Sequence, residues 1–350
     1  MTDRERWALR GPVHSCRLER TWYSRRCGAD TCETEERGDI TKLEFRSDGA
    51  LARRWYHNPD GSEWTATHEY DDAGQLTMVR TENVGGVADL RVHEYDAAGR
   101  LVRVLAQRHG EADREVEGYE YSDMGTRKKT IYVDMLAQRP DTHYAWGVEG
   151  TDSAYSAPGA SKLTILYNER DQPTELLFHD MAGQQLSRVE FRYDETGHLI
   201  EEAQINAEKV LPPEMLESLN QPQLETLRAL FGAGAEPIRR THRYDEQGRI
   251  TGTLSHIGPL GRDSKTIAYN KHGDTIQEIC EHEERDYGID EEGRLSDSPT
   301  RESVSCSEAR FYYDYDSHGN WVSKRVESRG NTKNDFILSS SEQRAITYLE

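Results

Sequence analysis

The chain writes nearly the same nine letters twice, HEYDDAGQL from His68 to Leu76 and, 25 residues on, HEYDAAGRL from His93 to Leu101. Each copy sets an aspartate three residues before a glycine, Asp71 with Gly74 and Asp96 with Gly99. Asp opening and Gly closing is the chemistry of a type I turn: the carboxylate accepts local N–H groups and glycine takes the left-handed conformation without a Cβ clash. Before the turn Trp64, Ala66, His68 and Tyr70 fall at alternate positions, and Leu76 and Met78 follow it with the same period. That period belongs to a strand with one covered face, so the unit is a β-hairpin with a glycine bulge beside its turn. Asp194 with Gly197 and Asp245 with Gly248 spell further turns of this kind.

An aromatic four residues ahead of glycine recurs from Phe45, Tyr70, Tyr95, Tyr121, Tyr193, Tyr244, Tyr269 and Tyr315, and Tyr167 heads a degenerate copy with Asp171 in the glycine's place. Successive starts differ by 25 or 26 residues over much of the chain, room for two strands and two turns. Hairpins in such succession predict an all-β fold, an antiparallel meander of tandem β-hairpin repeats forming a curved sheet, open or partly closed. Each unit gains stability by stacking on its neighbours, so the 350 residues form a single repeat-built domain. Within it, 1–42 reads as an amino-terminal cap, 43–330 as repeats and 331–350 as a carboxy-terminal cap strand. Insertions interrupt the period at 141–161, 208–231 and 281–309. The first is rich in Gly, Ser and Pro and carries Tyr144, Trp146 and Tyr155. The second has the apolar spacing of a small helical insertion around Leu216, Leu219, Leu227 and Leu230, and the third is acidic and polar.

Composition narrows the partners. With 64 acidic against 44 basic residues and a formal charge of −20, the average surface repels a nucleic-acid backbone, so nucleic acid is excluded as a partner. No apolar stretch is long enough to span a bilayer, and the start MTDRERWALRGPVHS lacks the apolar heart of a secretory signal. Sequence alone therefore predicts no transmembrane segment and a cytoplasmic chain, or an exported one where a leader has been removed or a specialised secretion route serves it. Cys27 and Cys32 could close a small loop, but no metal-ligand spacing is completed around them or around Cys280 and His282.

His68, His93 and His242 each stand two residues before the tyrosine of their unit, on the same strand face. A ladder of equivalent positions is how a repeat fills its covered face, so packing is the expectation for them rather than ligation. The turn aspartates would lie in a row about 10 Å apart along the hairpin tips, unlike the facing pair of a glycoside hydrolase. The chain has neither a G-x-S-x-G elbow nor a Gly-rich phosphate loop between strand and helix. No catalytic, metal-binding or cofactor-binding residue is assigned, and no cofactor is implied.

The Tyr-Asp-x-x-Gly-x-Leu/Ile runs at Tyr70, Tyr95, Tyr193 and Tyr244, with variants at Tyr121, Tyr269 and Tyr315, resemble the YD repeats of the Rhs and teneurin group. The opening LRGPVHS with FRSDGAL and NPDGS is similar to short stand-alone bacterial proteins built from that repeat. In large Rhs proteins such repeats wind into a hollow shell around a toxic carboxy-terminal domain, and teneurins use a related barrel in cell-surface recognition. The resemblance, with the aromatic insertion, implies a noncatalytic scaffold or recognition module that binds a protein or glycan through a curved sheet and projecting loops. Tyr144, Trp146 and Tyr155 are the candidate contacts. The alternative is a hydrolytic or toxin-related enzyme with a site assembled from the insertions.

Overall fold

The computed structural model describes residues 2–27, 32–107, 112–122, 127–132, 146–147, 154–155, 157, 159–206, 236–257, 261–289, 295–330 and 335–349. After one helical turn, α1 (Asp3–Arg6), come β1 (Val13–Cys27), β2 (Cys32–Phe45), β3 (Leu51–His57), β4 (Glu63–Tyr70), β5 (Leu76–Asn83), β6 (Gly86–Tyr95), β7 (Leu101–Gln107), β8 (Arg114–Tyr121) and β9 (Arg127–Tyr132). A ribbon of β10 (Trp146–Gly147) and β11 (Ala154–Tyr155) precedes β12 (Lys162–Tyr167), β13 (Pro173–His179), β14 (Gln185–Tyr193), β15 (Leu199–Asn206) and β16 (Ile238–Tyr244). The chain ends with β17 (Ile250–His256), β18 (Gly261–Tyr269), β19 (Thr275–Ile289), β20 (Leu295–Tyr315), β21 (Trp321–Gly330) and β22 (Ile337–Tyr348).

Strands adjacent in sequence pair antiparallel, β9 pairs with β12 across the ribbon, and β1 pairs with β22 from Val13↔Tyr348 to Trp22↔Ser340. The sheet is thus a closed 20-stranded barrel. This corrects the expected YD-like meander, open or partly closed: the two stretches read as caps supply β1, β2 and β22, and the first and last strands satisfy each other's edge N–H and C=O groups. At ordinary strand spacing and barrel tilt, a ring of this size holds its backbone about 20 Å from the axis, too far for side chains of opposite walls to meet.

The repeat explains why the ring is regular. Asp71 Oδ1 accepts from the N–H groups of Ala73 and Gln75, and Asp96, Asp194 and Asp245 hold their own turns in the same way. Gly99 sits at φ 76°, and Asp171, in the degenerate copy, is forced to φ 61°. A register shift flanks each such turn, as between Glu69 and Tyr70, and every second wall strand ends on an aromatic: Phe45, Tyr70, Tyr95, Tyr121, Tyr167, Tyr193, Tyr244, Tyr269, Tyr315 and Tyr348. Their hydroxyls stitch neighbouring hairpins together; Tyr70 donates to the Leu51 carbonyl and Tyr95 to that of Leu76, both at 2.8 Å. Turn side chains cover the rings, Arg46 over Tyr70 at 4.6 Å and His198 stacked on Tyr244 at 4.6 Å. Burial pushes the Tyr70 hydroxyl up to about 12.

Residues 2–12 lie across one sector of this aromatic end. Asp3 accepts from the Leu51 N–H, Arg4 donates to the Gly49 turn, and Arg10 bonds Asn320, Gly319 and His272 on the other side. Leu9 and Val13 pack with Cys16, Leu43, Phe45 and Leu51, with Trp7 against them. Trp7 is held from below by Arg54, 5.3 Å from its ring, and by Arg344, which donates to its carbonyl.

Along the strands the tyrosine phase is the more buried and the other phase carries exposed charge, such as Arg53, Glu69, Arg103, Glu120, Arg192 and Arg262. Side chains converge on the concave side of a closed sheet, so the tyrosine phase is the inner face. The outer face is laced by cross-strand ion pairs, including Arg103–Glu94 at 2.5 Å, Lys128–Glu120 at 2.7 Å and Arg239–Glu201 at 2.9 Å.

Within 281–309, read as an acidic interruption, residues 281–289 and 295–309 belong to β19 and β20, paired through Glu283↔Val304 and Arg285↔Glu302. A hairpin wet on both faces has no apolar alternation to betray it. The helical insertion around Leu216, Leu219, Leu227 and Leu230 lies outside the described residues.

Candidate functional site

The inner face divides into two walls. On β9 and β12–β15 it is apolar: Ile131, Leu163, Ile165, Leu176, Phe178, Val189, Phe191 and Leu199 form one buried cluster. Tyr155 belongs to that cluster, edge-on to Phe191 at 6.1 Å. The backbone of Trp146 pairs with that of Tyr155, while Tyr144 lies outside the described residues. Of the three expected contacts, Tyr155 is 8% exposed and packed on the barrel's own inner wall, while the side chains of Tyr144 and Trp146 lie outside what is described.

On β16–β19 the same face is polar. Cross-strand pairing sets Arg240, Ser255, Asp263 and His282 side by side in one row, and His242, Thr253, Lys265 and Cys280 in the next. Strand spacing makes each row about 15 Å wide, the two rows about 7 Å apart. These eight residues, with Ser264 and Glu281 from the other strand phase, line a cavity of about 270 Å³. At its edge His242 Nε2 meets Glu202 Oε1 at 2.5 Å, both side chains 1% exposed, and His242 Nδ1 has no hydrogen-bond partner.

Electrostatics sets what this wall can do. The hydrogen bond and charge of Asp263 raise the His282 imidazole above its ordinary value. Burial pushes the Cys280 thiol up, with the Lys265 ammonium opposing, so Cys280 is kept a thiol rather than a thiolate nucleophile. Among the described residues no three His, Cys, Asp or Glu side chains converge to hold a metal. The wall offers cations, hydroxyls, imidazoles and the carboxylates of Asp263 and Glu281 to a solute. Of the three insertions from which an enzyme site would be assembled, the third is paired strand in the closed wall, and 208–231 lies outside the described residues.

Of the ladder histidines His68, His93 and His242, His242 belongs to this cavity, as does His282; His68 and His93 stand elsewhere on the inner face, their pKa values lowered by burial. The turn residues Asp71, Gly74, Asp96, Gly99, Asp194, Gly197, Asp245 and Gly248 all lie at the aromatic end, away from it. Sequence reasoning missed Arg240, Asp263 and Lys265. The signal was present: counting back in twos from Tyr244 and Tyr269 reaches His242 and Arg240, then Lys265 and Asp263.

No protein-family model and no curated protein matches the chain. Among solved structures it is similar to a porin-like protein from Bacteroides uniformis ATCC 8492, at 9% identity over 97% of this chain and 98% of that one, with a TM-score of 0.33. It is also similar to TcdB2-TccC3-Cdc42, at 11% identity and a TM-score of 0.25, over 85% of this chain but only 19% of that one. A structure described as "Asymmetric conductivity of engineered proteins" matches at 9% identity over 96% and 99% of the two chains, TM-score 0.23. Likenesses this slight say nothing of function. With a closed barrel in place of a curved open sheet and no family model behind it, membership of the YD-repeat group is withdrawn. The expectations of no transmembrane segment and of a cytoplasmic chain fall with it. They rested on the want of a long apolar stretch and of a secretory-signal core, and a closed antiparallel barrel can cross a bilayer with strands.

Proposed function

We propose that the protein is a transport barrel whose lumen holds a hydrophilic solute. The observation that carries this is the closure of the sheet through β1 and β22 around an inner face whose β16–β19 wall is polar. Among the described residues, the wall side chains of a barrel this wide do not meet across its axis, which leaves room for a solute. Of the two transport modes a barrel permits, holding a solute and passing it through lipid, the ion pairs along the outer face favour the first. A lipid-facing wall carries an apolar band there, and each arginine at mid-bilayer costs about 2–4 kcal/mol.

Cys280 on the inner face and Cys306 on the outer face provide the test. With Cys16→Ala, Cys27→Ser and Cys32→Ser in place, a small charged thiol reagent should modify both, whereas a maleimide carried rigidly on a globular protein should modify Cys306 alone. A Cys280 silent to the small reagent contradicts an open lumen, and a Cys280 that reacts with the bulky one contradicts a closed wall.

A further inference from the structure

The β1–β22 joint reproduces, between residues far apart in the chain, the turn that links β4 to β5 and β6 to β7. In those turns Tyr70 pairs with Leu76 and then Glu69 with Met78, and Tyr95 with Leu101 and then Glu94 with Arg103. At the joint Tyr348 pairs with Val13 and then Thr347 with Ser15, the same one-residue shift. The Asp71 N–H donates to the Gln75 carbonyl at 3.0 Å and that of Asp96 to Arg100 at 2.9 Å; the Leu349 N–H donates to Pro12 at 2.8 Å. Gly74 and Gly99, two residues before their leucines, have φ 81° and 76°, and Gly11, two before Val13, has φ 75°. Tyr348 with Leu349, and Gly11 with Val13, are thus two halves of one repeat turn, joined by hydrogen bonds alone.

We propose that this split turn is the latch of a lateral gate: residues 2–12 act as its strap, and when the strap lifts the wall parts between β1 and β22. Passage of a solute through the opening rests on the lumenal reading above; the latch itself rests on the geometry of the seam. On one side the strap holds β22 and the β20–β21 turn. Asn320, 1% exposed, accepts from the Arg10 N–H at 2.6 Å and donates to the Arg10 carbonyl at 2.9 Å and the Tyr348 hydroxyl at 2.8 Å. Arg344 on β22 donates to the Trp7 carbonyl at 3.2 Å. On the other side the strap holds the β2–β3 turn: Asp3 accepts from the Leu51 N–H at 2.8 Å, and Arg4 donates to the carbonyls of Gly49 at 3.1 Å and Arg46 at 3.0 Å. A strap fastened to both sides of a joint sets whether the joint opens.

The fastening is reversible in kind. Its polar anchors are hydrogen bonds that water can replace, and lifting it hydrates Arg54 Nε and Arg344 Nε and Nη1, now buried without a partner. Ala8, held at φ 51° where a side chain is disfavoured, is relieved as well. Beneath the strap the ladder is lightly tied. Among the described residues, the polar side-chain contacts across it are Ser15 with Thr347 at 2.7 Å, Tyr23 with Ser341 at 3.2 Å and Arg20 with Glu342 at 3.7 Å. Every other joint of the ring unites strands that follow one another round the wall, so this one opens without straining a turn.

Segment-resolved hydrogen exchange tests this. In the unaltered protein the amides shared by β1 and β22 should exchange roughly tenfold or more faster than those shared by β13 and β14, because local opening reaches them before global unfolding does. Asp3→Ala with Arg10→Ala, which cuts the strap on both sides, should speed the seam by roughly another tenfold and leave β13–β14 unchanged. In that variant, with the native cysteines replaced, oxidising a Ser15→Cys, Thr347→Cys pair should return the seam to slow exchange. Equal rates in the two ladders, or a seam indifferent to the strap variant, overturn the latch, and the first comparison needs no variant to fold. Fast exchange that survives the cross-link assigns the motion to the strap alone and overturns the gate. Cys280 labelling reads the lumen separately: a labile seam around an unreactive Cys280 keeps the latch and rejects the passage of a solute.

Discussion

Strands β12–β15 and β16–β19 are neighbouring arcs of one wall, with the same register shift, closing aromatic and Asp- or Asn-led turn, and they present opposite chemistries to the interior. In the first, Leu163, Ile165, Leu176, Phe178 and Val189 are at most 1% exposed and Tyr155 folds down onto them. In the second, equivalent positions carry Arg240, His242, Asp263 and Lys265 around a cavity. The backbone frame is indifferent to which set it bears, since turns and ladders are satisfied locally. The inner face is therefore where this chain differentiates: one arc is packed by the protein itself, the other is left to solvent or solute.

The seam between them is Glu202. It stands opposite Phe191 on the apolar side and Arg240 on the polar side, and bonds His242.

If the apolar arc carries the stability, Phe178→Ala should cost about 3–5 kcal/mol through lost burial and a cavity. Lys265→Ala in the polar arc should cost under about 1 kcal/mol, as for a partly exposed ionic group. Urea denaturation of the two variants reads the difference, and equal midpoints would break the contrast. Glu202→Ala at the seam should cost about 3 kcal/mol, because removing one member of a buried pair strands the other. A loss below 1 kcal/mol would show that the seam is wet.

The smallest effect belongs to the polar arc's rim. Asp263 raises His282 above its ordinary 6.5, so their pair adds stability that is fully present below that value and is lost as pH rises through the raised one. With the two side chains 50% and 48% exposed, the effect stays under about 1 kcal/mol. Thermal melts between pH 5 and 9 should show this slope in the parent and lose it in Asp263→Asn; an identical slope in both would assign it elsewhere.

How much of this the letters disclose follows from range. The reversals are local, since Asp71 and Gly74 specify a turn without reference to anything distant, and the alternation around Tyr70 marks a face without saying what it faces. Closure is not local. Ser15 pairs with Thr347, and nothing near either residue announces the other; whether a run of hairpins stays open or meets itself depends on strand number and accumulated twist. The same limit hid the cavity, because Arg240, Asp263 and His282 come together only through the registers of β16–β19. Tyr155 misled for another reason: an aromatic in a polar insertion reads alike whether it folds inward or projects.

Everything above depends on the ring being closed, and the β1–β22 seam is where that can be struck. Ser15 and Thr347 are directly opposed, their hydroxyls 2.7 Å apart. In a background without the native cysteines, Ser15→Cys with Thr347→Cys should oxidise to an intramolecular cross-link in the folded monomer, as readily as Arg53→Cys with Thr67→Cys between β3 and β4. A cross-link between positions 53 and 67 but none between 15 and 347 would mean that the sheet is open.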